Sequence, residues 1–272
     1  MAPGINMNEI AKSMDILFIT LDSLRYDVAL DAFDKGLLPN FKNYFPEGWK
    51  KCHSPGSFTY AAHQAFFAGF LPTPVTNPKQ ERLFAAQFMG SETITKNTLV
   101  FETPDIVSGF AEKGFKTVCI GGVGFFNKQT VLGRVLPSFF QESFWEPQFG
   151  VTEKNSTAFQ FQKAKEVIEE TNDQPLFLFI NVSAVHQPNW FYAHDEKTDD
   201  TMESHAAALQ YVDAQMPDLV NSLKKKRDAF CIICSDHGTA YGEEGYTGHR
   251  IGHSTVWDVP MATFIIQKEK TI

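Results

Sequence analysis

Short apolar runs alternate with longer stretches of helical periodicity along most of the chain, and this alternation restricts the fold more than any other feature. Residues 16–20, Ile-Leu-Phe-Ile-Thr, form a continuous apolar run. That is the pattern of a strand buried on both faces of a parallel sheet. Residues 116–121, 176–182, 229–234 and 262–266 repeat it. Between them, helices are predicted from about Ala61 to Gly69, and from the Thr103-Pro104-Asp105 start signal to Gly114. Two more are predicted over 157–170 and 204–226, each with an apolar face at helical spacing. The basic end Lys224-Lys225-Lys226-Arg227 suits a helix C-terminus. The expected fold is α/β: one doubly wound, mainly parallel sheet between helix layers. Residues 1–272 read as one domain with a core over about 16–266, and 72–98 as an irregular insertion.

Composition sets the outer limits. Hydrophobic residues make up 43% and charged residues 21%, which is ordinary globular usage. The net charge is 24 − 32 = −8, against the clustered cations that a nucleic-acid binder needs. The first residues carry Glu9, Lys12 and Asp15 with no apolar run of signal-peptide length, and no stretch is long enough to span a bilayer. The expectation is a soluble, cytoplasmic chain without nucleic-acid or membrane partners. Cys231 and Cys234 form a C-x-x-C inside a strand pattern, where residues three apart face opposite sides, so both are expected to be structural. The 26 phenylalanines are scattered through the apolar segments and read as core.

In a sheet of this kind ligands bind beyond the carboxyl ends of the strands. Those ends deliver Asp22 after the first strand, His186 after residues 176–182, and Asp236 with His237 after residues 229–234. Carboxylates with imidazoles suit zinc or manganese, and magnesium less well. Thr59 precedes the helix predicted from Ala61, so its hydroxyl is expected at a helix N-terminus, where backbone N–H groups favour an anion such as phosphate. A threonine hydroxyl becomes a nucleophile only with a base or metal beside it. Gly121-Gly122-Val123-Gly124 also follows a strand, but it lacks the G-x-G-x-x-G spacing of a dinucleotide site.

The order of these segments resembles the alkaline phosphatase superfamily, in its sulfatase-like and phosphoethanolamine-transferase-like branch. Residues 19–27, Ile-Thr-Leu-Asp-Ser-Leu-Arg-Tyr-Asp, resemble the first metal-binding strand end. Leu38-Pro39-Asn40-Phe41 resembles the Pro-Asn-Leu segment. Residues 59–72 resemble the nucleophile helix, and residues 235–243, Ser-Asp-His-Gly-Thr-Ala-Tyr-Gly-Glu, the Ser-Asp-His-Gly-Glu-x-x-Gly-Glu element. Gly248-His249 and Val259-Pro260 resemble the closing elements.

The resemblance implies a metal held by Asp22, Thr59, Asp236 and His237, with Thr59 as nucleophile. His186 and His249 would bind a second metal or phosphoryl oxygens. His253 is an alternate ligand, and His63 takes a structural or supporting role; His53, His194 and His205 match nothing. Where two-metal relatives carry an Asp before the histidine matching His186, this chain has Val182, flanked by Asn181 and Ser183. One tight metal site and a weaker, substrate-dependent second one are therefore expected. Sulfatases need Cys or Ser in Cys/Ser-x-Pro-x-Arg, which is absent around Thr59, so sulfatase activity is disfavoured. Neither the C-terminal subdomain of larger members nor a membrane domain is expected. The implied activity is cleavage of small soluble phosphate esters through phospho-Thr59, as phosphatase or phosphodiesterase. The alternatives are a phosphotransferase with the same nucleophile and a catalytically silent metal-binding protein.

Overall fold

The computed structural model describes residues 5–69, 105–171 and 173–269. In chain order the elements are α1 (Met7–Ser13), β1 (Asp15–Leu21), α2 (Tyr26–Asp34), α3 (Pro39–Tyr44), β2 (Lys50–His53) and α4 (Thr59–Ala68). Then come α5 (Ile106–Glu112), β3 (Lys116–Ile120), α6 (Val131–Val135), β4 (Glu142–Phe144), α7 (Ser156–Glu170) and β5 (Leu176–Val182). The chain continues through α8 (Met202–Lys224), β6 (Ala229–Cys234), β7 (Ala240–Tyr241), β8 (Thr247–Gly248), α9 (Ser254–Trp257) and β9 (Asp258–Ile266). The expected insertion at 72–98 and the Thr103-Pro104 start signal lie outside the described residues; Asp105 does cap α5, accepting from the Ser108 N–H at 2.8 Å.

A seven-stranded sheet runs in the order β2-β9-β6-β1-β5-β3-β4. β6, β1, β5, β3 and β4 pair in parallel, while β9 runs antiparallel to both β6 and β2. Alternation along the central strands splits the core in two. Leu17, Ile19 and Leu21 of β1, with Leu178, Ile180 and Val182 of β5, face the layer of α2, α3, α7 and α8. Ile16, Phe177 and Phe179 face the opposite layer, which is dominated by phenylalanine: Phe67, Phe115, Phe126 and Phe140 join them. Phe179 makes edge contact with Phe67 at 5.1 Å between ring centres. Cys231 and Cys234 are buried free thiols, and burial pushes both well above the usual thiol range.

One feature departs from expectation. The last strand begins at Asp258, earlier than 262, and is antiparallel, pairing with the polar edge strand β2. The basic end of α8 serves local packing: Lys226 donates to the Glu169 carbonyl, and Arg227 to that of Asp173 while lying 3.4 Å from Asp15. The Pro-Asn segment has a structural partner too. Buried Asp213 of α8 accepts from the Asn40 side chain at 3.1 Å and from the N–H groups opening α3. No helix among the described residues is long and apolar enough to cross a membrane.

Candidate active site

β1 and β6 are adjacent and parallel, so the loops leaving their carboxyl ends meet. Asp22 follows β1, and Asp236 with His237 follows β6; all three are fully buried. Their donor atoms lie within 4.8 Å of one another. Ser23 ties the two loops together. Its N–H donates to Asp236 Oδ1 at 3.2 Å and its hydroxyl to Asp22 Oδ1 at 3.1 Å. It does so from a left-handed backbone, φ 66°, a conformation that costs a non-glycine residue roughly 1 kcal/mol and concentrates at functional sites. Gly238 is required by space, because a Cβ there would stand 1.9 Å from the Thr255 carbonyl oxygen.

Thr59 enters from the layer above. It is the first residue of α4, after the extended cap Phe58, rather than the cap itself. Its buried hydroxyl donates to Asp22 Oδ2 at 3.4 Å and lies 3.2 Å from His237 Nε2. His237 Nδ1 sits 2.8 Å from the Gly238 carbonyl. A carbonyl only accepts, so Nδ1 carries the proton and the Nε2 lone pair faces the cluster. Burial pushes the His237 pKa down, which keeps that lone pair available. One turn along α4, His63 is fixed in the same way: Nδ1 donates to the Thr59 carbonyl at 2.7 Å and Nε2 faces Thr20 at 3.0 Å. Burial lowers its pKa to about 4. His63 thus braces the backbone of Thr59.

The charge arrangement at the centre is unbalanced. Burial, and then the neighbouring Asp22 charge, drive the Asp236 carboxyl well above the usual range. Asp22 is held below that range: its burial is outweighed by attraction to His186 and His237 and by the Asn181 amide. Asp236 Oδ2 is buried and has no hydrogen-bond partner in the structure. Two adjacent buried carboxylates with an unpartnered oxygen, a bare imidazole nitrogen and a hydroxyl form a donor set that fits a divalent cation.

β5 brings up the third side. Asn181 donates from Nδ2 to Asp22 Oδ2 at 3.0 Å, while its Oδ1 accepts from the Val123 N–H at 3.0 Å. Val182, expected to stand in the place of the relatives' Asp, faces the hydrophobic core instead. Asn181 is the residue that reaches the site. Ser183 donates away from it, to the Phe149 carbonyl at 2.6 Å.

His249 stacks 4.5 Å from the His237 ring, and His186 lies 5.7 Å beyond. Burial, then the His237 and His186 charges, lower the His249 pKa to about 4. Both rings line a cavity of about 510 Å³ that reaches Thr59 and carries Arg250. Arg250 has φ 70°, donates its backbone N–H to the Ser57 carbonyl at 2.8 Å, and sets its guanidinium 5.2 Å from the Phe58 ring centre. Sequence reasoning gave Ser23 and Arg250 no role and named Asn181 only as a neighbour of Val182. Ser23 and Asn181 flank singled-out residues; Arg250 carries no sequence signal beyond following His249.

The remaining histidines sit elsewhere. His253, the alternate ligand, caps α9 through Nδ1 and directs Nε2 toward Glu244, 3.8 Å away. His53 lies on edge strand β2 against Trp257, and buried His205 faces the Tyr241 hydroxyl at 2.9 Å. His194 closes a short turn after Trp190. Arg25 is buried, bonding Asp27 at 2.6 Å and pairing with Glu243, so it links the two metal-facing loops from behind.

Several solved structures share this fold. The integral membrane lipooligosaccharide phosphoethanolamine transferase A of Neisseria meningitidis matches with TM-score 0.63 and 15% identity, over 93% of this chain and 48% of that one. The zinc complex of the C-terminal periplasmic domain of EptC from Escherichia coli gives 0.64 and 13%, over 94% and 73%. The lipoteichoic acid synthase LtaP of Listeria monocytogenes gives 0.62 and 14%, over 99% and 70%. The chain spans about half the length of the first of these. A search of curated proteins finds no match. The sulfatase family model matches residues 15–263, from the start of β1 into β9. The chain belongs to the sulfatase family.

Proposed function

We propose that the protein is a divalent-metal-dependent hydrolase of phosphate esters that works through a covalent phospho-threonine at Thr59. The family and the transferases that share its fold are enzymes of phosphate or sulfate esters. The observation that carries the narrower reading is the seat of the Thr59 hydroxyl, 3.2 Å from His237 Nε2 and 3.4 Å from Asp22 Oδ2. It stands beside the unpartnered Asp236 Oδ2 and at the edge of the cavity.

Asp22, Thr59, Asp236 and His237 would hold the metal, zinc or manganese by their chemistry. When bound, it lowers the pKa of the hydroxyl and offsets charge on the phosphoryl oxygens. Thr59, its proton lost to solvent, attacks phosphorus through Oγ1. The Oγ1–P bond forms as the bond from phosphorus to the leaving oxygen breaks, and that oxygen takes a proton from solvent. His249 and the Arg250 guanidinium would hold the phosphoryl oxygens, with His186 beside them. Water then attacks phospho-Thr59, releasing phosphate and restoring the hydroxyl.

Transfer of the same phosphoryl group to an acceptor alcohol is the second reading, favoured by the fold shared with transferases. The test is turnover of phosphomonoesters and phosphodiesters by metal-loaded protein, with and without acceptor alcohols. His249→Ala should lower the rate at least about a hundredfold, the loss typical of one transition-state contact, and retain the metal. Absence of turnover with every ester, despite full metal loading, would contradict the reading.

A further inference from the structure

The lining of the cavity beside Thr59 is of two kinds. His186, His249 and Arg250 bring polar groups to it. Val123, Phe125, Leu132 and Val151, from the loop after β3, α6 and the segment before α7, form an apolar wall. This wall is fixed to the nucleophile helix. The Phe125 ring packs 6.2 Å from Phe58 and 5.6 Å from Tyr60, the residues on either side of Thr59.

The acceptor oxygens of the two polar side chains in the wall are already engaged. Asn127 Oδ1 accepts from the Gln129 N–H at 3.0 Å, and Thr130 Oγ1 accepts from the Gly133 N–H at 2.9 Å as the cap of α6. Neither is aimed at a ligand hydroxyl. Among the described residues no Asp or Glu lines the cavity, so none of them offers a carboxylate to an ammonium group. Sugar and amino-alcohol leaving groups would therefore lose hydration without replacement. Apolar surface gains from the same burial.

We propose that this apolar wall bounds the leaving-group subsite, and that the substrate is a phosphate ester of a compact apolar alcohol, alkyl or aryl. The proposal rests on the Thr59 phosphoryl-transfer reading. Gly124 belongs to the subsite: it lines the cavity, and a Cβ there meets nothing within 4 Å. A larger residue at that position enters the space meant for the leaving group without straining the backbone.

The test uses linear alkylphosphonates from methyl to octyl, whose carbon–phosphorus bond the reaction does not cleave. Their Kd values are measured by calorimetry on the full zinc-loaded chain, with inorganic phosphate as baseline. Affinity should rise about two- to fourfold per methylene and level off once the chain outgrows the cavity. Gly124→Leu should bind methylphosphonate normally but lose at least about tenfold on the longer members, the equivalent of two displaced methylenes. 2-Aminoethylphosphonate should bind more weakly than ethylphosphonate. An affinity independent of chain length, or tighter binding of the amine, overturns the subsite. Because binding is read without turnover, the two ideas separate. A rising series with no hydrolysis of any phosphate ester keeps the subsite and removes the hydrolase. Methyl phosphate hydrolysed as efficiently as octyl phosphate does the reverse.

Discussion

The Asn181 side-chain amide donates to Asp22 Oδ2 at 3.0 Å, so the end of β5 supplies the centre with a neutral donor rather than a third carboxylate. With only two acids there among the described residues, one tightly held metal ion per chain is expected, and a second only when phosphate is added. Asn181→Asp should add a buried charge beside Asp22 and weaken the metal-free protein by about 3 kcal/mol. It should also increase second-metal uptake. Metal analysis and thermal denaturation of both proteins check this. Two tight ions in the wild type without phosphate would contradict it.

Asp236→Asn should act in opposite directions with and without metal. The Asp236 carboxyl is raised by burial and by Asp22, so its ionisation opposes folding when no cation is present. Such a group favours the fold below the unfolded carboxylate pKa of about 4, and that contribution is lost as pH rises through the higher folded value. The metal-free variant should therefore melt higher than metal-free wild type, by a margin that grows upward from pH about 4. In zinc the order should invert, because the variant lacks a ligand. Equal zinc-induced stabilisation of the two proteins would show that Asp236 is not a ligand.

Position 59 is threonine, not the cysteine or serine of a formylglycine precursor. Phosphate esters should therefore be turned over at least about a hundredfold faster than sulfate esters of the same alcohol, a difference of roughly 3 kcal/mol in barrier. Paired kcat/KM values for the two nitrophenyl esters measure this directly. A sulfate-ester rate matching the phosphate rate would refute it.

Acid stability should depend on His205. Burial and then the Arg25 charge lower its pKa to about 3. The unfolded chain takes up the proton near pH 6.5, whereas the folded protein does not until near pH 3, so stability falls as pH drops through that window. The slope from this one group is at most about 1.4 kcal/mol per pH unit. His205→Gln should lose stability less steeply below pH about 6.5, even if the lost contact with Tyr241 makes it weaker at neutral pH. An unchanged acid slope in denaturant titrations would contradict the buried neutral form.

The central strands were legible because fully buried parallel strands are continuous apolar runs; β5 and β6 begin and end where those runs do. The ligand-bearing loops follow from the strand ends. Direction was not legible: Val259 to Ile266 is as apolar as its neighbours, and only the sheet shows it antiparallel. Strand β2 carries Lys50 and Lys51 at an exposed edge and gives no apolar run. α3 is too short to show periodicity, and its partner Asp213 is remote in sequence. Attention to Val182 instead of Asn181 was an error of one residue, which on a strand exchanges the core face for the site face. α4, expected from about Ala61, begins at Thr59, because Phe58, with no polar side chain, is the residue that opens the helix.

The central claim is tested most directly by quenching metal-loaded protein in acid during turnover of a phosphate ester and mapping the phosphoryl group by peptide mass spectrometry. The account predicts one phosphoryl group on Thr59. It also predicts none in Thr59→Ala, a variant that should keep its fold and bound metal while losing at least about a thousandfold in rate. Phosphorylation of another residue, or a Thr59→Ala protein that still turns over ester at near the wild-type rate, would contradict it.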